Sequence, residues 1–270
     1  MKIVKRKKSR PARIWGCVIA AAVLSGCNAA PLDSADDDGT DGAAAALAVG
    51  RRGNPGVVPP DGHPGGVSLA QWSMAWWQQI LAIPFDRNPV FDTTGEDCAE
   101  GAGSDVWFLA GTAGESVTRR CTIPTDTRIL FPLVNTADDN NSPTCLPQPI
   151  DCSSSPSLEV CLTRDVHQFL KAKTLFAVVD GVPLNNLFDF VQTSELFFFV
   201  GDPSLIDGFQ DSCITAAPRP QPAVAYGWWI MLEPLPPGHH TLKFGGTGTS
   251  GGVPFAIDVT YNLHIRRPPS

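Results

Sequence analysis

Pro254-Phe255-Ala256-Ile257-Asp258-Val259-Thr260-Tyr261-Asn262-Leu263-His264-Ile265 decides the fold class of this 270-residue chain. Phe255, Ile257, Val259, Tyr261, Leu263 and Ile265 alternate with Asp258, Thr260, Asn262 and His264. Successive side chains of a strand point to opposite faces, so this segment carries one apolar and one polar face. Such a strand belongs to an antiparallel sheet with core on one side and water on the other. Just upstream, Pro236-Pro237-Gly238 and the glycine-rich stretch 245–252 bracket a shorter strand at 239–244.

Further apolar runs read as strands at 106–111, 116–123, 128–135, 174–179, 195–200 and 223–232. Asp180-Gly181 is a hairpin-turn signal. Two segments break the pattern. Ser68-Leu69-Ala70-Gln71 has the form of a capping box, and Leu69, Trp72, Trp76, Ile80 and Ile83 follow at helical spacing until Pro84. A second helix is expected at 157–172, with Leu158, Leu162, Val166 and Phe169 on one face and Cys161 within it. Eight strands and two helices predict a mainly β chain. Its expected form is an antiparallel β-sandwich or jelly-roll-like domain at 67–267, with helical additions and disulfides.

The N-terminus has another logic. Residues 1–13 hold seven cationic side chains and no acidic one, and an eleven-residue apolar stretch, 14–24, follows. It is too short for the ~20 residues of a membrane-spanning helix and suits the apolar region of an export signal. Leu24-Ser25-Gly26-Cys27 ends it and resembles a bacterial lipobox. That resemblance implies cleavage of the leader 1–26 and lipidation of Cys27. Several acyl chains then hold the protein at a membrane where one would not. Asn28, rather than Asp, follows the lipidated residue and favours the outer membrane of a Gram-negative envelope. Residues 27–66, rich in Ala, Gly, Asp and Pro, read as a tether too poor in apolar side chains to fold.

Loss of 1–26 removes seven of the 20 basic residues and none of the 27 acidic ones, leaving 13 against 27 and a formal charge of −14. A chain so acidic is repelled by nucleic acid. Six cysteines remain after Cys17 and Cys27: Cys98, Cys121, Cys145, Cys152, Cys161 and Cys213. In an exported chain they read as three disulfides, with fifteen connectivities open. A zinc site competes weakly, because no C-x-x-C pair is present.

Several ordered motifs stand in the domain: Trp76-Trp77, Ile83-Pro84, Asn88-Pro89, Asp92-Thr93-Thr94-Gly95, Cys98, Trp107-Phe108-Leu109-Ala110-Gly111-Thr112, Cys121-Thr122-Ile123-Pro124, Phe131-Pro132-Leu133-Val134-Asn135, Leu235-Pro236-Pro237-Gly238-His239-His240-Thr241 and Asp258-Val259-Thr260-Tyr261. In that order they resemble a family of uncharacterised secreted bacterial proteins, over about 68–265. The resemblance brings no activity or catalytic residue. It implies that Cys98, Cys121, Cys145 and Cys161 form one set and Cys152 and Cys213 an added pair, with bonds Cys98–Cys121, Cys145–Cys161 and Cys152–Cys213.

Chemistry-bearing candidates are few. Gly248-Thr249-Ser250-Gly251-Gly252 fits G-x-S-x-G, with Asp258 and His264 beyond it. A nucleophile elbow needs a helix after the serine, and a strand follows here. The overlapping G-x-G-x-x-G match at 246–251 also lacks a helix N-terminus. His239 and His240 are adjacent on a strand, point to opposite faces and do not converge on one metal. Asp138, Asp139 and Asn140 offer oxygen ligands of the kind Ca²⁺ takes. Trp77, Trp228 and Trp229 belong to tandem pairs whose rings diverge, and an exposed indole beside carboxylates is a sugar-stacking platform. Thr118, Arg119 and Arg120 read equally as a polar sheet face or as salt-bridge partners of the acidic excess. Together these point to a non-catalytic, membrane-anchored binding module with a glycan or an envelope protein as partner. A hydrolase working through acidic residues and a purely structural envelope protein are the alternatives.

Overall fold

Among the described residues, three α-helices and ten strands follow in the order α1 (Leu69–Ala82), β1 (Val106–Phe108), β2 (Ser116–Pro124), β3 (Arg128–Asp139), α2 (Leu158–Phe169), β4 (Leu170–Val179), β5 (Val182–Pro183), β6 (Val191–Thr193), β7 (Phe197–Phe199), α3 (Leu205–Phe209), β8 (Gln221–Leu232), β9 (Gly238–Ser250) and β10 (Val253–Arg266). The structure is a computed structural model and describes residues 54, 56–103, 105–139, 151–215 and 219–267. The leader, Cys27 and the first part of the tether lie outside the described residues, as do Asn140 and Cys145.

The strands form two five-stranded sheets. One runs β1-β3-β8-β6, with β7 also on β8; the other runs β2-β10-β9-β4-β5. Most pairs are antiparallel, but β1 lies parallel to β3 and β2 parallel to β10. The expected β-sandwich with helical additions is therefore what forms, with mixed rather than purely antiparallel sheets. The cause is topological. The chain leaves β1 for β2 in the other sheet and returns to β3, and a crossover of this kind sets strands parallel.

The alternation in β10 is realised as burial. Val259, Tyr261, Leu263 and Ile265 are buried, while Asp258, Thr260, Asn262 and His264 are exposed or half-exposed. Phe131 on β3 meets Phe244 on β9 with ring centroids 4.7 Å apart, which joins the two sheets through their facing sides. The opposite side of the first sheet is covered by α1, where Trp76 packs edge-on to Trp229 at 5.4 Å. The capping box is present in full, with Ser68 accepting from the Gln71 amide and Gln71 accepting from the Ser68 amide.

The stretch 245–252, expected as a loop, instead carries β9 to Ser250, and only Gly251 and Gly252 turn. Both have positive φ, +55° and +81°, as a two-residue hairpin requires. The other glycines serve proximity. A Cβ on Gly248 would lie 2.0 Å from the Lys171 carbonyl oxygen, so only glycine lets β4 approach here. Helix α2 ends at Phe169 rather than Ala172, because Leu170 already pairs with Ser250.

The domain also begins earlier than Val67. The Val58 amide donates to Met231, the Glu233 amide to Gly56, and Val58 is buried, so 56–66 are not tether. Their few apolar side chains suffice because the backbone itself finds partners at the end of β8.

Two disulfides are seen among the described residues, Cys98–Cys121 and Cys152–Cys161. The first agrees with the pairing implied by resemblance. The second replaces both other bonds: Cys152 lies just before α2 and is brought back to Cys161 with Cα atoms 5.5 Å apart. Cys213 is disulfide-bonded as well.

Candidate functional site

Arg119 organises the region where the ordered motifs meet. It lies on β2 between Val117 and Cys121, positions that face inward, and is 1 % exposed. The Nε donates to Asp92 O at 2.7 Å and Nη2 to Val90 O at 3.3 Å. The Nη1 donates to Ala110 O at 2.7 Å, Gly111 O at 3.0 Å and Tyr261 Oη at 2.8 Å. Tyr261 Oη in turn donates to Ala110 O. Every acceptor is a carbonyl or a phenol, and none is a carboxylate.

Arg119 is thus not part of a polar sheet face, nor paired with the acidic excess. Period-two alternation with Cys121 and Ile123 was the sequence signal that pointed it inward. The Asp92 carboxylate beside it holds a turn. Burial works to raise its pKa, but hydrogen bonds from the Thr94 and Asp97 amides, the Thr94 hydroxyl and the Gly95 amide outweigh this and hold it below the usual value. Asn88 closes α1 through its Nδ2, which donates to Ile80 O and Ile83 O. The motif residues Asn88, Asp92, Ala110, Gly111 and Tyr261 are therefore occupied in building one buried knot. The Pro-Pro-Gly-His-His-Thr motif does the same elsewhere: His240 binds Asp180 and Pro236 O, and the Thr241 amide donates to Asp180.

The indoles do not form a platform. Trp228 is 6 % and Trp229 0 % exposed, and Trp77 is half-buried against the core. Trp228 and Trp229 point to opposite faces of β8 as expected, but both faces are covered. Trp229 meets Trp76 of α1, and Trp228 meets Tyr226 at 5.4 Å and Phe188 at 6.0 Å. The sugar-stacking role of these three residues loses its geometric basis.

Asp138 and Asp139 end β3 opposite Val224 and Ala223, on the two faces of the sheet. Asp138 shares a hydrogen bond with Asp165 of α2, and its Oδ2 is buried without a partner among the described residues. Burial, that bond and the charges of Asp165, Asp139 and Asp211 push its pKa up to about 8. Asp139 is raised to about 7 by burial and by the charge of Asp211. Asp211 is raised by burial as well, against a hydrogen bond from the Cys213 amide. The upward shifts of Asp138 and Asp139 were not visible in sequence, because neither Asp165 nor Asp211 adjoins them in the chain.

Ser250, Asp258 and His264 are spread along the β9–β10 hairpin: Ser250 pairs with Val253 at the turn and His264 with His239 at the far end. They form no triad. A shallow groove of about 310 Å³ opens beside β7, lined by Gln78, Ala82, Phe198, Phe199, Val200 and Pro220, with no titratable group. Among the described residues no set of three His, Cys, Asp or Glu side chains is placed to hold a metal ion. Compared with protein-family models, with curated proteins and with solved structures, the chain found no match.

Proposed function

We propose that this chain is a lipid-anchored protein of the bacterial envelope, held at Cys27, whose β-sandwich is a non-catalytic interaction module for another envelope protein. The observation that carries the interaction reading is the β7 edge. Phe198 and Val200 are each 52 % exposed beside the apolar groove, which is a costly surface to leave in water. The Phe198 carbonyl already accepts from Gln78 Nε2, so the partner inserts apolar side chains into the groove rather than adding a strand. An envelope protein suits this surface better than a glycan, since the one polar side chain lining the groove is Gln78, whose Nε2 is already bonded to the Phe198 carbonyl. Disulfides support export, and the Leu24-Ser25-Gly26-Cys27 run supports the anchor.

A photo-crosslinking residue at 198, in cells producing the full chain, is expected to give one discrete adduct that Val200→Glu abolishes. The same probe at Val253, 49 % exposed on the other sheet, is expected to give none. Equal labelling from both positions, or none from either, refutes the interaction. Metabolic labelling with fatty acid that persists in Cys27→Ser refutes the anchor. The hydrolase alternative draws on the Asp138–Asp165 pair, since a carboxyl kept protonated at neutral pH is what acid catalysis needs. Hydrolysis lost in Asp138→Asn would favour it.

A further inference from the structure

His239 and His264 lie directly across from each other on β9 and β10. Counting from the two-residue turn between Ser250 and Val253, this is a non-hydrogen-bonded pair, the kind whose Cα atoms approach to about 4.5 Å. Their rings stack with centroids 4.5 Å apart and planes 14° from parallel. His239 is exposed and His264 half-exposed, on the solvent face of the second sheet. Neither ring makes a hydrogen bond among the described residues. By contrast His240 has both ring nitrogens engaged and His167 binds Thr193 through Nε2.

We propose that His239 and His264 form a two-histidine site for a divalent transition-metal ion of the zinc or copper class. Imidazole nitrogen is a favoured ligand for these ions, and a metal–nitrogen bond of about 2.0–2.1 Å is reached when both rings turn about their side-chain torsions. The backbone has no need to move, because the antiparallel hairpin fixes the two Cα atoms. Holding both ligands in place before the ion arrives is what raises a chelate above two separate histidines. Water fills the remaining positions. The site is therefore open and exchangeable, unlike a closed four-ligand structural centre. Thr122 on β2 completes the row beside His264, while Arg120 and Arg266 project from the same face one step away. Their charge weakens the site.

The pair was hidden from motif reading. His239 adjoins His240 in sequence, and strand geometry separates those two. Its true partner is supplied by the hairpin.

The test uses the full chain, purified without a histidine tag, titrated with Cu²⁺ or Zn²⁺. One ion per chain is expected, with a copper resonance signal split by two nitrogens. His239→Asn and His264→Gln are each expected to weaken binding about tenfold or more, while His63→Gln and His167→Gln leave it unchanged. Unfolding midpoints without metal verify that the variants remain folded, and added Zn²⁺ raises the midpoint of the native chain alone. The proposal is overturned by absence of uptake at millimolar metal, by a copper signal that survives the His239/His264 double substitution, or by one that follows His63 or His167.

Discussion

Replacement of Arg119 by Met is expected to be among the most damaging single changes in the domain. Met fills much of the volume but donates nothing. Val90 O and Asp92 O lose a donor in a buried place, and Gly111 O does so in a half-buried one. Ala110 O keeps the Tyr261 hydroxyl. An unsatisfied buried acceptor costs about 1–3 kcal/mol, and removal of the desolvated guanidinium offsets part of the sum. Three acceptors at about 1–3 kcal/mol each, less that offset, leave a net loss of about 3–5 kcal/mol. For a domain of this size that lowers the melting temperature by roughly 6–20 °C, at about 2–4 °C per kcal/mol. Arg119→Lys keeps the charge but has three donors on one nitrogen, so it cannot span Val90, Asp92 and Gly111 at once and should fall between. Tyr261→Phe removes an acceptor of Nη1 and is coupled to Arg119 by about 0.5–3 kcal/mol in a double-mutant cycle. Urea unfolding followed by tryptophan fluorescence measures the native chain, the three single variants and the Arg119→Met/Tyr261→Phe double variant. A loss below ~1 kcal/mol in Arg119→Met, within the range of ordinary surface changes, or strict additivity with Tyr261→Phe, would refute the knot as a stabilising unit.

Stability should also fall from mildly acidic to mildly basic pH. Asp138 and Asp139, raised from 3.8 to about 8 and about 7, bind protons more tightly folded than unfolded. Their contribution is complete below the unfolded value and is lost as pH rises through the folded one, at about 1.4 kcal/mol per unit of difference. His240, raised by Asp180 and Pro236 against the effect of burial, adds to the same trend. Urea midpoints should be higher at pH 5 than at pH 8.5, and Asp138→Asn should flatten the difference; an unchanged slope would count against the raised Asp138. Cleavage of the non-reduced chain after Glu159 should leave the fragments on either side joined through Cys152–Cys161, and a Cys145–Cys161 peptide in the mass spectrum would contradict the bond. Reduction of that short loop is expected to cost about 2–3 kcal/mol, less than loss of the longer Cys98–Cys121 loop.

What could be read from sequence was whatever depends on neighbours in the chain. The alternation of β10, the Ser68 capping box, the Asp180-Gly181 turn and the start of α2 at Ser157 are local statements, and each is realised. What escaped depends on approach between distant segments. The glycines of β9 look like a loop because propensity counts them as breakers, yet Gly248 is there because β4 passes too close for a side chain. Strands β5 and β6 are two or three residues long and carry no period to detect, while β7 realises Phe197–Phe199 of the strand expected at 195–200. The tandem tryptophans were read from strand geometry correctly as far as direction. Exposure followed only if a face of β8 were open, and α1 closes one face while Tyr226 and Phe188 pack against Trp228 on the other.

The same contrast separates architecture from function. Asp92, Ala110, Gly111 and Tyr261 gather at Arg119, and Pro236, His240 and Thr241 at the Asp180 clamp, with hydrogen bonds inside the fold. A residue engaged that way serves stability, so these motifs mark what the domain needs in order to fold. Groups still able to meet a ligand lie outside the knot: Phe198 and Val200 at the β7 edge, and the imidazoles of His239 and His264. His239 belongs to the Pro-Pro-Gly-His-His-Thr motif, yet its side chain faces away from the clamp that employs His240. One dipeptide thus divides its two histidines between a structural contact and an open face, because consecutive residues of a strand cannot serve the same side.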